Sequence, residues 1–293
     1  MKWLRWPALM LCLVVVLVAA LYLRPDADLD AAIAEFKAPN SRFVSIANNT
    51  VLHIRVSGPD TGVPLVLLHG FGSSSWAWDG WVSRLPTSVR TIAVDLPCHG
   101  LTRTGDGPEA NPSSPIFLTE MLDALRIQRA VIVGNSLGGA TAARFAAQYP
   151  DRVAAGILVD APRGAPPSRV KVLTSRWYSP LARLALRWSK GPEGHRDDIF
   201  WRLHRADLVR VSGDEMHTPS AAPSSIMAPT LVMQGGADPL VSRSDAEAWA
   251  HGIRRARLVI FPGLGHTPHQ SDPAVTSKSA LDFLIQIGLE PRS

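Results

Sequence analysis

"VIVGNSLGGATAARFAAQYP", residues 131–150, decides the fold. A run of β-branched residues stops at Gly134, and a helical pattern opens directly after Ser136. An apolar run without alternation reads as a strand buried on both faces. Strand, turn and helix therefore meet at one serine held between small residues. Gly134-Asn135-Ser136-Leu137-Gly138 fits G-x-S-x-G, a pattern that carries meaning only between a strand and a helix. The small neighbours suit a sharp, strained turn where a Cβ would strike nearby backbone. The helix N-terminus below the hydroxyl favours developing negative charge.

Outward from this corner the alternation repeats. "VPLVLLHG" (63–70), "VRTIAVDLP" (89–97), "AAGILVDAP" (154–162), "APTLVMQGG" (228–236) and "ARLVIFPG" (256–263) are further continuous apolar runs. Helical patterns lie between them, at about 76–85, 115–127, 137–149, 243–252 and 273–287. "RFVSIANNTVLHIRVSG" reads as a hairpin turning at Asn48-Asn49. Such alternation predicts an α/β domain with a doubly wound, mostly parallel sheet. Residues 163–226 break the rhythm with no convincing strand, and they read as a helical cap inserted over the strand ends. Trp177, Tyr178, Trp188 and Trp201 are interleaved there with arginines.

A serine hydroxyl needs a base to take its proton. Of nine histidines, His266 in "FPGLGHTPHQSDP" sits in a Gly-rich loop after the last strand. A loop at a strand's carboxyl end reaches the crevice where open α/β sheets bind ligands. The base in turn needs an orienting carboxylate. Asp238 in "QGGADPLV" follows the preceding strand, and Asp160 closing "GILVD" is its rival.

Four motifs now carry a resemblance over roughly residues 41–288: "HGFGSSSWAW" (69–78), "DLPCHG" (95–100), the "GNSLGG" elbow and the "GGADPLV"/"GHTPH" pair. With them the chain resembles the α/β-hydrolase superfamily. That resemblance implies the α/β-hydrolase fold and a triad of Ser136, Asp238 and His266. It also implies an oxyanion hole from the backbone N–H groups of Phe71 and Leu137. The reaction expected is hydrolysis of carboxylic esters through an acyl-enzyme, including lipid-like esters near a membrane. Alternatives are C–C bond hydrolysis of the meta-cleavage type and a non-catalytic binding protein of the same fold. Cys98 stands where relatives commonly have Gly, and Ser271 where they often carry an acid. His69, His99 and His269 are expected to be hydrogen-bonded loop residues, with His69 orienting backbone.

Composition narrows the partners. Cys12 and Cys98 are the only cysteines and fall in different parts of the chain, so the domain closes no internal disulfide. Residues 161–210 hold eleven Lys/Arg against four Asp/Glu, more than the whole chain's net charge of +5. No nucleic-acid module accompanies that charge. The sequence spacing suggests no metal site and no phosphate-binding glycine loop, so neither metal nor cofactor is expected. The partner expected is a small ester, and the chain is expected to be a monomer.

At the N-terminus, Trp6 to Leu23 is uncharged, with Lys2 and Arg5 before it and Asp26, Asp28 and Asp30 after it. Eighteen helical residues span roughly 27 Å, enough for a bilayer core. Residues 1–24 are thus expected to be a transmembrane anchor, with the domain extracytoplasmic by the positive-inside rule. The alternative is a signal segment cleaved after Ala20 that leaves a secreted or periplasmic enzyme. The basic cap is a second expected membrane contact. Residues 25–40 read as a linker containing a short helix, and the catalytic domain as 41–288.

Overall fold

In a computed structural model of the chain, the structure describes residues 28–164 and 221–289, with positions 10, 12–14 and 16. The cap expected over 163–226, with its four aromatic residues, falls outside the described residues except at its two ends. The expected anchor also falls mostly outside them. Among the described residues no helix is long and apolar enough to cross a membrane. A span needs about 20 apolar helical residues, whereas the longest described helix has 14. The transmembrane and membrane assignment of residues 1–24 is corrected on that ground. The membrane-anchored, extracytoplasmic localisation that rested on it falls too.

Eight strands form one sheet in the order β1-β2-β4-β3-β5-β6-β7-β8. They are β1 (Ser41–Ser45), β2 (Val51–Ser57), β3 (Leu65–Leu68), β4 (Thr91–Val94), β5 (Ala130–Asn135), β6 (Val153–Val159), β7 (Thr230–Gly235) and β8 (Ala256–Phe261). β2 pairs antiparallel with both β1 and β4, and every other pairing is parallel. The hairpin turns as expected at Asn48 and Asn49, whose φ values of 49° and 60° are left-handed. Two consecutive positive φ values match the twist of the flanking strands, and Asn tolerates them. β3, β4, β5, β6 and β7 are buried at every position, which is why their sequences run apolar without alternation.

Seven α-helices are bounded among the described residues: α1 (Leu29–Phe36), α2 (Asp79–Val82), α3 (Ile116–Ala124), α4 (Leu137–Gln148), α5 (Arg243–Gly252), α6 (Pro268–Ser271) and α7 (Pro273–Gln286). The 76–85 stretch is a 3-10 turn, Ser75–Trp78, running into the four-residue α2 rather than one helix. Trp78 and Trp81 explain the break. Both are fully buried, ring against ring, in the core cluster that also holds Phe283 and Leu284 of α7, and the Trp81 indole donates to Thr276 Oγ1 at 2.8 Å. Side chains of α3, α4 and α5 fill the core on the other face, around Phe117, Phe145 and Trp249. The central strands β3 to β7 are thus covered on both sides, and their ends are left for loops to build a site.

Candidate active site

β5, β6, β7 and β8 lie side by side and parallel. Their carboxyl ends therefore deliver Ser136, Asp160, Asp238 and His266 to one edge of the sheet. Ser136 adopts φ 53° and ψ −115°, a strained backbone for a residue with a Cβ. Its peptide N–H is tied to Val159 O of β6 at 2.9 Å, and its carbonyl accepts from Ala140 N, the first turn of α4. A Cβ on Gly134 would overlap the carbonyl of Gly138, and one on Gly138 would overlap the carbonyl of Leu68. The small residues of the corner are there because strand, helix and β3 backbone pass at contact distance.

The loops after β7 and β8 are fastened to each other by backbone. Gly236 N donates to Phe261 O at 2.8 Å and Ala237 N to Leu264 O at 2.9 Å. This pairing brings the two expected partners of Ser136 into line. The Ser136 hydroxyl lies 2.9 Å from His266 Nε2, and His266 Nδ1 lies 2.8 Å from Asp238 Oδ2. The Asp238 side chain is 1% exposed and that of His266 is 20% exposed. Burial alone would raise the Asp238 pKa, but the hydrogen bond and charge of His266 and the N–H groups of Leu240 and Val241 outweigh it. The carboxyl is held below its ordinary range and is ionised at neutral pH.

Asp160 also arrives here. It is fully buried at φ 43°, and its Oδ1 accepts from Gly235 N at 2.8 Å. Desolvation, opposed by the Gly235 N–H and reinforced by the charge of Asp238, pushes its pKa up to about 9. The acid rival of Asp238 is therefore neutral. Among the described residues, Asp160, Asp238 and His266 are also the one set of three potential metal-donor side chains, their atoms within 4.8 Å of one another.

The loop after β3 approaches from the opposite side. A Cβ on Gly70 would stand 3.3 Å from Ser136 Cβ, so Phe71 follows a residue in close contact with the serine. Leu137 opens α4, where helix geometry leaves the first N–H groups without intrahelical partners. His69 orients backbone as expected: Nδ1–H donates to Gly70 O at 2.7 Å, and Nε2 accepts from Leu96 N at 3.0 Å. His99 does the same between two loops, accepting from Gly72 N at 3.1 Å and donating to Pro97 O at 2.8 Å. His269 is buried with its ring 4.3 Å from that of Trp78. Cys98 is buried at φ 61°, which gives the glycine of relatives a physical reason, and its Sγ reaches Ala110 O at 3.5 Å. Ser271 donates its hydroxyl to Thr267 O within the short α6.

Two features went unread in the sequence. Asn135, the variable residue of the elbow, donates to Val159 O and to His266 O, bolting the histidine loop to the strand that carries the serine. A second Ser–His–Asp array joins Ser41 Oγ to His53 Nε2 at 2.7 Å and His53 Nδ1 to Asp95 Oδ2 at 2.7 Å. His53 and Asp95 are fully buried and Ser41 Oγ accepts from Ala38 N, so this array fastens backbone instead of facing a crevice. Alternation along β2 groups His53 with Arg55 and Ser57, opposite Leu52 and Ile54, so nothing in the strand's pattern signalled its burial.

A family model described as "Alpha/beta hydrolase family" matches residues 65–278. The chain is similar to the pimeloyl-[acyl-carrier protein] methyl ester esterase of Nitrosomonas europaea, 29% identical over 76% of this chain and 95% of that protein. It is also similar to the 2-hydroxy-6-oxononadienedioate/2-hydroxy-6-oxononatrienedioate hydrolase of Cupriavidus pinatubonensis, 27% identical over 85% of this chain and 96% of that one. Among solved structures, a hydrolase from Pseudomonas aeruginosa PA01 superposes with a TM-score of 0.73, 23% identity, 85% of this chain and 99% of its own. At that identity the match speaks for the fold alone.

Proposed function

We propose, from the premise that the chain belongs to the alpha/beta hydrolase family, that it is a serine hydrolase of carboxylic esters acting through Ser136, His266 and Asp238. The observation that carries this reading is the hydrogen-bonded line Ser136 Oγ, His266 Nε2, His266 Nδ1, Asp238 Oδ2, with contacts of 2.9 and 2.8 Å. The base is within reach of the hydroxyl proton, and an ionised acid holds its far nitrogen in the productive tautomer.

In this mechanism Ser136 Oγ attacks the ester carbonyl while His266 Nε2 takes its proton. The tetrahedral oxyanion is received by the N–H groups of Phe71 and Leu137, and each such donor is worth about 10²–10³ in rate. Collapse expels the alkoxide, which takes the proton back from His266, and water then releases the acid by the same steps. A methyl ester esterase among the relatives supports a carboxylic ester of a small alcohol. A second reading, hydrolysis of a C–C bond in a dienoic diketone-type acid, draws support from the Cupriavidus pinatubonensis relative.

The test pairs a p-nitrophenyl ester series of increasing acyl length with fluorophosphonate labelling, using the full chain. Ser136→Ala is expected to abolish labelling and cut turnover about 10⁶-fold. Labelling that survives the substitution refutes Ser136 as the nucleophile. Turnover of a 2-hydroxy-6-oxodienoate in preference to every ester selects the second reading.

A further inference from the structure

Asp160 is a buried ionisable group that ester hydrolysis as described does not use. One oxygen has a partner, the Gly235 N–H, while Oδ2 is buried without a hydrogen-bond partner if both carboxyls near His266 are acceptors only. Two carboxylates cannot pair, but a carboxylic acid and a carboxylate can: the acid's O–H donates to the other's oxygen. Asp160 also sits at the end of β6, on φ 43°. A non-glycine residue persists in that region only where its surroundings over-determine it, and such positions gather at functional sites.

We propose that Asp160 is a positioning residue for the triad: its carboxyl hydroxyl donates to Asp238 and keeps the negative charge beside His266 to one. The inference rests on the serine-hydrolase reading for its kinetic consequence but not for its structural one. With one negative charge, Asp238 holds the imidazole and steadies the imidazolium that forms. With two, the carboxylates repel each other and bind the His266 proton too tightly for it to pass to the leaving alkoxide. The titratable groups facing Asp160 among the described residues are Asp238 and His266. Arg163, three residues further along the chain, lays its guanidinium over the Trp249 ring at 5.8 Å. Burial and the Asp238 charge both oppose ionisation, and Asp160 keeps its proton up to about pH 9.

Asn and Gly make discriminating substitutions, because both accept a left-handed backbone. Asp160→Asn preserves an acceptor for Gly235 N–H and a donor for Asp238 but cannot ionise; Asp160→Gly removes both groups. The expected kcat at pH 7 falls less than about threefold for Asp160→Asn and about 10- to 100-fold for Asp160→Gly, with KM nearly constant in each. After subtraction of the Ser136→Ala rate, the parent's kcat should fall above about pH 9, and that fall should be missing in Asp160→Asn. A second readout needs no turnover. Infrared difference spectra of the parent against Asp160→Asn should show a carboxylic-acid carbonyl band at pH 7 that vanishes as the pH passes 9. An absent band, an equal loss of kcat in the two variants, or an unaltered alkaline fall in Asp160→Asn overturns the proposal. If the band is present while Ser136→Ala keeps its labelling, the serine-hydrolase reading has failed and the Asp160–Asp238 pairing stands.

Discussion

Single residues at the strand ends carry most of what was legible. Ser136, Asp238 and His266 each sit where an apolar run breaks into glycine, so position along the chain made them candidates, and the fold brings their side chains into one hydrogen-bonded line. The state of Asp160 was not legible in the same way, because it depends on neighbours 75 and 78 residues away that only folding brings near. Its raised pKa has a consequence for stability with a definite sign. The unfolded chain releases this proton near pH 4, while the folded one keeps it to about 9. Asp160 therefore favours the fold below pH 4, and that advantage is lost progressively as the pH rises to 9. Asp160→Asn has no such titration. Thermal melts of parent and variant should diverge between pH 5 and 8.5, with the variant gaining; parallel curves would mean that Asp160 ionises normally.

Elements followed their patterns where local signal and packing agree, and departed where packing overrode it. α4, α5 and α7 lie where the apolar period put them, with Asp272 and Ser242 capping the last two. The 76–85 stretch broke because two tryptophans had to enter one core. Residues 6–23 matched a membrane span by hydropathy alone, and hydropathy does not establish a continuous helix. Loops were the least legible, since what holds them comes from other loops. The turn after β3 is clamped by the loop after β4, through Gly72 N–H to His99 Nε2 and His99 Nδ1–H to Pro97 O. Two near-isosteres separate these bonds. His99→Gln offers an acceptor where Nε2 stood, and His99→Asn offers a donor where Nδ1 stood. If the clamp sets the oxyanion loop, kcat should fall about 10- to 100-fold in His99→Asn with KM little changed, and less than about fivefold in His99→Gln. Steady-state kinetics on both variants decides it, and equal losses would leave the Gly72 contact without influence.

Across the whole molecule, apolar runs foretold a parallel sheet, but its order, with β3 between β4 and β5, could not be read from them. The junction of the antiparallel and parallel halves is secured by Asp95. Its carboxylate takes His53 Nδ1, Ser75 N and Leu101 N, binding β2, β4 and two site loops. Burial would raise its pKa, yet the charge and hydrogen bond of His53, with help from His69 and Leu101, carry it well below the ordinary range. Its stabilisation is present above pH 4 and is lost as the pH falls from there toward the folded value. Asp95→Asn should cost about 3 kcal/mol at pH 7 and melt with a shallower dependence between pH 5 and 3; urea titrations at each pH provide the check. Around the site, Cys98, Ser136 and Asp160 all hold left-handed backbone without being glycine. For anyone transplanting the proposed chemistry onto another parallel sheet, copying the side chains of Ser136, Asp238 and His266 would fall short. The recipient must also hold its backbone out of line at those corners, and its own packing has to keep it there.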